Sequence, residues 1–346
     1  MQGWENNQNR EEREKKGIDQ KRKTPKLRDK QGLTEEEFLA AYQPGDYVRP
    51  SVATDMVIFT ITEQEEKNYR KLSEKNLSVL LIERGIHPYL NCWALPGGFI
   101  CPNETAEQAA RRELQEETGL SHVYMEQLYT FTDPKRDPRT WVMSCSYMAL
   151  IDCRKVRLQA GDDAANVQWF HASYRLLNER KEYHHTEDGR GIKEIILIQE
   201  YELLLSPDKI EHPALDSLML DTTKQDKLIL RAILQKTITK TEEMESVEYQ
   251  LLENYGLAFD HAKIIAYAIE RLRRKVEYTG LALHLMPTEF TLTQLQQAYE
   301  VILGKTLLKP AFRRKISELV EETEHYTEKE GHRPSRLFRR KWEKQI

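Results

Sequence analysis

The sequence predicts a mixed α/β domain, of the α/β or α+β class, followed by a small helical domain that ends in a hairpin. Two observations carry this prediction. Short β-branched and aromatic runs surround one strongly capped helix in the first half of the chain. After residue 259, apolar residues recur every three or four positions, which is the spacing of helices that bury one face.

Three strand-like runs define the α/β domain, and each has β-branched or aromatic residues with polar flanks. The runs cover residues 55–63, 77–85 and 141–151. Between the second and third runs, Thr105 and Gln108 have the spacing of a capping box. Gly119 is placed to end the helix that they begin. The sequence therefore predicts strands packed around a central helix.

The chain divides into three predicted regions. Residues 1–32 are charged and nearly lack large apolar side chains, so we predict a mobile charged tail, with a nucleic-acid-binding arm as the alternative. Residues 33–257 form the α/β domain and begin with a helix at 33–42. Within it, residues 172–257 have no clear pattern, and either an insertion that extends the sheet or a dimer element fits them. Residues 258–346 form the helical domain.

Composition limits the function only broadly. The chain has 346 residues and a net charge of −4, so a nucleic-acid-binding role requires a local basic patch. Its four cysteines form no C-x-x-C pair, which argues against a zinc ribbon or a thioredoxin-like site and suits a reducing compartment. Because no apolar run is long enough to span a bilayer, we expect a cytoplasmic protein with no membrane partner.

The central helix carries three carboxylates on one face. Glu113, Glu116 and Glu117 are spaced i, i+3 and i+4, so their side chains are neighbours. Like charges repel one another unless a cation lies among them, and a hard cation such as Mg²⁺ prefers oxygen ligands and completes its shell with substrate phosphates. Arg112 is placed to orient these carboxylates. For the glutamates alone, a solvated acidic face is the alternative.

The segment from residue 98 to residue 120 resembles the Nudix box, G-x5-E-x7-R-E-U-x-E-E-x-G-U, in which U is aliphatic. The nine defined positions are filled by Gly98, Glu104, Arg112, Glu113, Leu114, Glu116, Glu117, Gly119 and Leu120. The resemblance implies the Nudix fold, an α/β/α sandwich with a mixed sheet. It also implies a loop–helix–loop that holds Mg²⁺ or Mn²⁺, and substrates in which a nucleoside diphosphate is linked to another group.

The same resemblance implies roles for individual residues. Glu113, Glu116 and Glu117, together with the carbonyl of Gly97, would be metal ligands. The three glutamates and Arg112 would form the catalytic group.

The resemblance leaves the general base open between two positions. In some Nudix proteins the base is the glutamate that matches Glu113, and in ADP-ribose hydrolases it lies on a later loop. Asp162 and Asp163 are the candidates for that loop, with an ordinary polar turn as the alternative. Gly98 and Glu104 are expected on the substrate-binding side.

A second loop narrows the ligand class. Pro134 is similar in position to a proline of the ADP-ribose-type Nudix subfamily, and residues 136–139 resemble the R-D-P-R loop of ADP-ribose-binding members and related regulators. Those relatives usually continue with Gly-Arg, whereas Thr-Trp follows here. We expect Arg136 and Arg139 to pair with the phosphates of ADP-ribose or a similar nucleotide sugar. A plain surface loop is the alternative.

The last part of the chain is typical of a winged helix-turn-helix. Its second helix is predicted to start at Thr291 and its third at Pro310, and a hairpin follows at 325–342 with its turn near Gly331. The residues expected to contact double-stranded DNA are Arg313, Arg314, Lys315, Arg333 and Arg336. A domain used only for protein contacts or dimerisation is the alternative.

The segments LMPTEFTLTQLQQAYEVILGK, FRRK and GHRPSRLF resemble the C-terminal domain of the NrtR-type Nudix-related transcriptional regulators. The resemblance implies a homodimer whose DNA binding responds to a ligand in the Nudix domain. Many such regulators have a decayed box. Because this box is intact, we expect Mg²⁺-dependent hydrolysis of ADP-ribose to AMP and a sugar phosphate. The alternatives are a sensing repressor with negligible turnover and a plain hydrolase whose winged helix does not bind DNA.

Overall fold

The computed structural model describes residues 27–63, 73–156, 158, 164–185, 192–208, 228–327 and 334–341. The chain divides into two compact units, residues 1–49 and Pro50–Ile346, and each is described by itself. None of the described helices has both the length and the apolar character that a membrane crossing requires.

The first unit contains one short helix, α1, which spans Glu35–Ala41. It begins at Thr34, whose backbone N–H donates to the Glu37 carboxylate at 2.8 Å while the Thr34 hydroxyl accepts from the Glu37 N–H at 3.3 Å. The helix predicted at 33–42 is confirmed. The predicted mobile tail lies largely in residues 1–26, outside the described residues.

The second unit is built on a ten-stranded sheet. Its strands are β1 Ser51–Glu63, β2 Lys75–Arg84, β3 Trp93–Ala94, β4 Gly97–Phe99, β5 Tyr124–Phe131, β6 Val142–Leu150, β7 Ala164–His185, β8 Ile192–Pro207, β9 Leu230–Lys240 and β10 Glu245–Tyr255. The order is β10-β9-β8-β7-β2-β1-β6-β5, with β3 beside β2 and β4 beside β1. Strands β1 and β6 are parallel, while pairs such as β1–β2 and β7–β8 are antiparallel, so the sheet is mixed as predicted.

Strand β1 contributes to both faces of this sheet. Met56 and Ile58 belong to one buried apolar cluster, and Val57 and Phe59 belong to another. The division follows the strand's period of two, in which successive side chains point to opposite faces. Both faces of the sheet must therefore be covered.

Two helices cover these faces. Helix α2, Ala106–Thr118, buries Leu114 in the cluster that contains Met56 and Ile58. Helix α3, His261–Tyr278, buries Ile265 on the opposite face. The helix–sheet–helix layering confirms the predicted α/β/α sandwich.

The region without a clear sequence pattern, residues 172–257, extends the sheet. It forms most of β7 and all of β8, β9 and β10. Strands β7 and β8 pair in antiparallel register from Phe170 opposite Pro207 to His185 opposite Ile192. The sheet extension is therefore observed, whereas a role as a dimer element stays a prediction.

The C-terminal region contains helix α4, Leu292–Leu303, helix α5, Lys309–Ile316, and a hairpin of strands β11, Val320–Tyr326, and β12, Arg336–Arg340. The capping box at the start of α4 is confirmed, because the Thr291 hydroxyl accepts from the Gln294 N–H. The two strands pair antiparallel, as the hairpin prediction requires. Its predicted turn near Gly331 lies outside the described residues.

Candidate functional site

Both ends of helix α2 are fixed by local hydrogen bonds. The Thr105 N–H donates to Gln108 Oε1 at 2.7 Å, and the Gln108 N–H donates back to the Thr105 hydroxyl at 3.2 Å. Gly119 has a φ of 71° and its N–H donates to the Gln115 carbonyl at 2.8 Å. Both caps agree with the sequence prediction, and they fix which face of α2 its carboxylates occupy.

The three box glutamates differ in burial. Glu113 and Glu117 are buried, with 8% and 5% of their surfaces exposed. The Glu116 side chain is about half exposed, at 52%. Burial raises the pKa of Glu113, and the hydrogen bond from Arg112 opposes that shift. The side chains of Glu113 and Glu117 are therefore held away from solvent. Burying a carboxylate costs free energy unless cationic or hydrogen-bonding partners compensate.

Arg112 is the cationic partner that the structure supplies. Its Nη1 donates to Glu113 Oε1 at 2.7 Å and to Glu116 Oε2 at 3.4 Å. Its Nη2 donates to Glu104 Oε1 at 3.0 Å, and this contact lowers the pKa of Glu104. The Arg112 guanidinium thus contacts the carboxylates that the sequence predicted it to orient. A catalytic role for this group stays a prediction.

Strand β4 makes two close approaches at its glycines, one to β1 and one to α2. A Cβ at Gly97 would lie 2.1 Å from the Thr54 carbonyl oxygen of β1, and a Cβ at Gly98 would lie 2.4 Å from Glu113 Oε1 of α2. Both glycines pair with β1, where Gly97 is opposite Asp55 and Gly98 is opposite Thr54. A side chain at Gly97 would collide with the β1 backbone, and one at Gly98 would displace the Glu113 carboxylate.

The donor set suits a hard divalent cation. Three carboxylates and the nearby backbone carbonyl of Gly97 supply the oxygen ligands that Mg²⁺ prefers. In the part of the chain that the structure describes, no three His, Cys, Asp or Glu side chains are already gathered as a metal site. Arg112 contacts one oxygen of Glu113 and one oxygen of Glu116, so a cation held by these carboxylates would either share them with Arg112 or displace it. The ligand chemistry fits a divalent cation.

Arg136, predicted to contact ligand phosphates, is buried in a polar network. Its Nη2 donates to Asp55 Oδ2 at 3.0 Å and to Asp260 Oδ1 at 2.7 Å, and its Nε donates to Asp260 Oδ2 at 3.2 Å. The Leu95 N–H donates to His261 Nδ1 at 2.8 Å, and burial lowers the pKa of this imidazole. Arg136 thereby connects its loop to β1 and to the start of α3. Its phosphate contact stays a prediction.

Arg139 lies on the same loop but is partly exposed. Its Nε and Nη2 donate to the Asp137 carboxylate at 3.0 and 2.7 Å. Burial raises the pKa of Asp137, and the hydrogen bonds from Arg139 outweigh this effect and lower it. The guanidinium also lies 5.4 Å from the centroid of the Phe99 ring and 5.7 Å from that of Phe259. Two rings and one carboxylate therefore hold Arg139 in place.

Sequence reasoning did not single out Asp55, Asp260, His261, Phe99 or Phe259. Asp55 and Phe99 lie in strands, and Asp260 and His261 lie at the start of α3. None of these residues belongs to a sequence motif with a recognisable spacing. Their place in the site follows from tertiary contacts with the loop of residues 136–139. Asp162 and Asp163, the candidate bases, lie outside the described residues.

The residues predicted to contact DNA differ in their contacts with the rest of the protein. Arg313 and Arg314 are exposed on α5. Lys315 is also exposed, but its Nζ donates to the Val276 carbonyl at 3.1 Å and lies over an aromatic ring of α4. Arg336 forms an ion pair with Glu322 in the hairpin. Arg333 lies outside the described residues.

Comparisons with known proteins match both parts of the chain. The NUDIX domain family model matches residues 57–187, and the NrtR DNA-binding winged helix domain model matches residues 282–340. The ADPR responsive transcriptional repressor NtrR of Acinetobacter baylyi is 30% identical over 310 residues, which cover 88% of each chain. An ADP-ribose pyrophosphatase of Methanocaldococcus jannaschii is 38% identical over 124 residues, which cover 36% of this chain and 63% of that protein.

A solved structure shares the architecture. The crystal structure of a MutT/nudix family protein from Enterococcus faecalis superposes with a TM-score of 0.56 at 27% identity. The match covers 89% of this chain and 94% of that one.

Replacing Arg136 with Leu is expected to destabilise the fold strongly. The change leaves the Asp55 and Asp260 carboxylates without this buried cation, a loss of about 3–5 kcal/mol in the free energy of unfolding. Chemical denaturation of purified protein measures it. The control is Arg111→Ala, which removes an exposed pair with Glu107 and should cost below about 1 kcal/mol. Equal, small effects of both changes would show that the network contributes little.

Proposed function

This chain belongs to the family of NrtR-type Nudix-related transcriptional regulators, and from that membership we propose that it is a ligand-responsive repressor. The proposed ligand is ADP-ribose or a similar nucleoside-diphosphate sugar, bound in the Nudix domain. The proposed partner of the winged helix is double-stranded DNA. Support comes from the order of the two matched domains and from the repressor of Acinetobacter baylyi, whose name includes its response to ADPR.

One observation carries the ligand part of this proposal. Glu113 of α2 lies close against Gly98 of β4, and both Glu113 and Glu117 are buried, so carboxylate oxygens are concentrated beside the β4 backbone. A diphosphate reaches such a face only with a cation between the two sets of anionic oxygens. Glu113, Glu116 and Glu117, with the Gly97 carbonyl, would hold Mg²⁺ or Mn²⁺ there.

We further propose that the Nudix domain hydrolyses its ligand. A bound divalent ion supplies neutralisation of the diphosphate charge and lowers the pKa of a water molecule. Arg112 orients Glu113 and Glu116 through the hydrogen bonds described above. Glu113 is one candidate to accept a proton from the attacking water. Asp163 is the alternative base. The similarity to an ADP-ribose pyrophosphatase supports this reaction class.

A sensing repressor without useful turnover is the second candidate, and one observation favours it. Arg112 already occupies oxygens of Glu113 and Glu116, and the described residues contain no gathered metal site. A guanidinium among the carboxylates compensates their charge and opposes cation binding. Turnover then depends on how readily ligand and cation displace Arg112.

Helix α3 provides a path between the two proposed binding sites. Its first residues lie in the Arg136 network through Asp260 and His261. Near its other end, Arg273 donates to the Ile302 carbonyl of α4 at 2.9 Å, and the Val276 carbonyl accepts from Lys315 of α5. A shift of the loop that carries Arg136 would reach the winged helix through this one rigid element, which is the coupling that a ligand-responsive repressor requires.

The same packing bears on the domain boundary, which we propose between residues 257 and 258. Helix α3 follows this boundary, yet it packs on the sheet as well as on α4.

The homodimer also remains a proposal, and the β7–β10 extension is its candidate interface.

Hydrolysis is tested by incubating the protein with ADP-ribose and Mg²⁺ and measuring AMP by chromatography. The wild type should release AMP, and Glu117→Gln should lower the rate by about 100-fold, the scale of losing a direct electrostatic contact in a transition state. The control is Glu107→Gln, which changes an exposed glutamate of the same helix and should leave the rate unchanged. Absence of AMP from the wild type would assign the sensing role instead, and equal rates from wild type and Glu117→Gln would remove α2 from the chemistry.

DNA binding is tested by gel shift against the DNA upstream of the protein's own coding sequence. The double change Arg313→Ala with Arg314→Ala should weaken binding and reduce the slope of log affinity against log salt by about 2, because two phosphate contacts are lost. The matched control is Arg154→Ala with Lys155→Ala, another adjacent exposed basic pair. If the two double variants bind alike, α5 does not contact the DNA backbone.

A further inference from the structure

Three aromatic residues gather beside β4, and we call Tyr89, Phe99 and Phe259 the aromatic cluster. The rings of Tyr89 and Phe259 have centroids 4.7 Å apart. Arg139 lies between Phe99 and Phe259, with its guanidinium 5.4 and 5.7 Å from their centroids. Arg84 lies on Phe259, 5.1 Å from its centroid. Two guanidinium groups and three aromatic rings are thus in contact beside β4.

Part of this cluster faces solvent. Phe99 is 45% exposed and Tyr89 is 39% exposed, whereas the core phenylalanines Phe59 and Phe170 are fully buried. One face of the Phe99 ring is therefore accessible to a ligand.

The backbone holds two of the three rings in an unfavourable conformation. Tyr89 has a φ of 62° and Phe259 a φ of 50°, although neither is glycine. Bulky residues seldom adopt a positive φ, because the side chain crowds the neighbouring carbonyl. Such residues persist where surrounding structure enforces them, and they concentrate at functional sites. The placement of the cluster is therefore enforced by tertiary structure.

The aromatic cluster and the acidic face of α2 lie on the two sides of β4. Gly98 faces Glu113, as the 2.4 Å approach of its absent Cβ demonstrates. Phe99 is the next residue of the strand, and its side chain points to the other side. Its carbonyl lies 3.5 Å from Arg112 Nη2. A ligand that crosses the end of this three-residue strand contacts both surfaces.

Hydrogen bonds to Asp137 hold the Arg139 side chain in place, so it is not free to turn toward a phosphate. Two side-chain hydrogen bonds join it to Asp137, and its backbone N–H donates to the same carboxylate at 2.9 Å. Asp137 is itself buried, so the pair is anchored. A planar guanidinium fixed on one face of an aromatic ring keeps that ring in position for a second planar group on its other face.

We propose that the exposed face of Phe99, backed by Arg139, stacks with the nucleobase of the bound nucleoside diphosphate. This inference rests on the proposed function, in which a nucleoside-diphosphate sugar binds with its phosphates beside α2. It assigns Phe99, Arg139 and Asp137 to base recognition. Because stacking accepts any base with a π face, the site selects a purine by its larger contact area rather than by hydrogen bonding.

The test is calorimetric titration of the full-length protein with two probes, ADP-ribose and base-free inorganic pyrophosphate, each with Mg²⁺. Phe99→Ala should weaken ADP-ribose binding by about 10-fold or more and leave pyrophosphate binding unchanged. Phe99→Trp should retain ADP-ribose binding, and its fluorescence should be quenched by ADP-ribose more than that of the wild type. Tyr278→Ala is the control, since it removes another exposed aromatic ring, 85% exposed, at the end of α3.

The outcomes separate this inference from the proposed function. If the wild type binds ADP-ribose and Phe99→Ala binds it equally well, base stacking on Phe99 is overturned while the proposed function stands. If Phe99→Ala loses both probes equally with an unchanged unfolding midpoint, Phe99 serves the diphosphate site and the inference is wrong. If the wild type binds neither probe, both proposals fail.

Discussion

The contact between Gly98 of β4 and the carboxylate face of α2 is the constraint on which the rest of the site depends. Gly98 lets the strand approach until a single added carbon would collide with Glu113, and Gly97 lets it approach the backbone of β1. Glu113 and Glu117 are both buried, so a compensating positive or hydrogen-bonding group is needed among them. For Glu113 that group is Arg112. A cation with a diphosphate would meet the same electrostatic need, so ligand binding exchanges one compensating charge for another.

The position of α3 gives this exchange a route to the DNA-binding region. Helix α2 covers one face of the sheet and α3 covers the other, so both helices pack on the same strands. At its start α3 meets the loop that carries Arg136, and near its end it meets α4 and α5. Between these two contacts, Glu270 of α3 accepts a hydrogen bond from Tyr174 and forms an ion pair with Lys236. The sheet extension is thereby joined to the same helix.

Local sequence rules predicted the parts of the site that are local in the structure. The capping box of Thr105 and the left-handed Gly119 bound α2 within one continuous segment, and the i, i+3, i+4 spacing places its glutamates without reference to the rest of the fold. The extension β7–β10 was not predictable in the same way. Its strand β8 contains the run Ile195–Ile198, which is apolar at every position, so neither a strand nor a helix period is visible there.

The polar network was beyond sequence reasoning for a different reason. Arg136 is separated by 81 residues from Asp55 and by 124 residues from Asp260, and no spacing rule connects positions so far apart. The R-D-P-R resemblance pointed to the loop of residues 136–139, and the structure adds that Arg136 is buried against carboxylates while Arg139 lies over aromatic rings. A motif specifies residue types, whereas burial decides which of them remain available to a ligand.

The central claim is that the acidic face of α2 binds a divalent ion together with the diphosphate of a nucleotide sugar. The most direct measurement is a crystal structure of the protein grown with ADP-ribose and Mn²⁺, with the ion located by its anomalous scattering. The account predicts an anomalous peak among the carboxylates of Glu113, Glu116 and Glu117, in contact with the phosphate oxygens and with Arg112 displaced. Well-ordered ADP-ribose with no peak at these carboxylates, or bound away from α2, would contradict it.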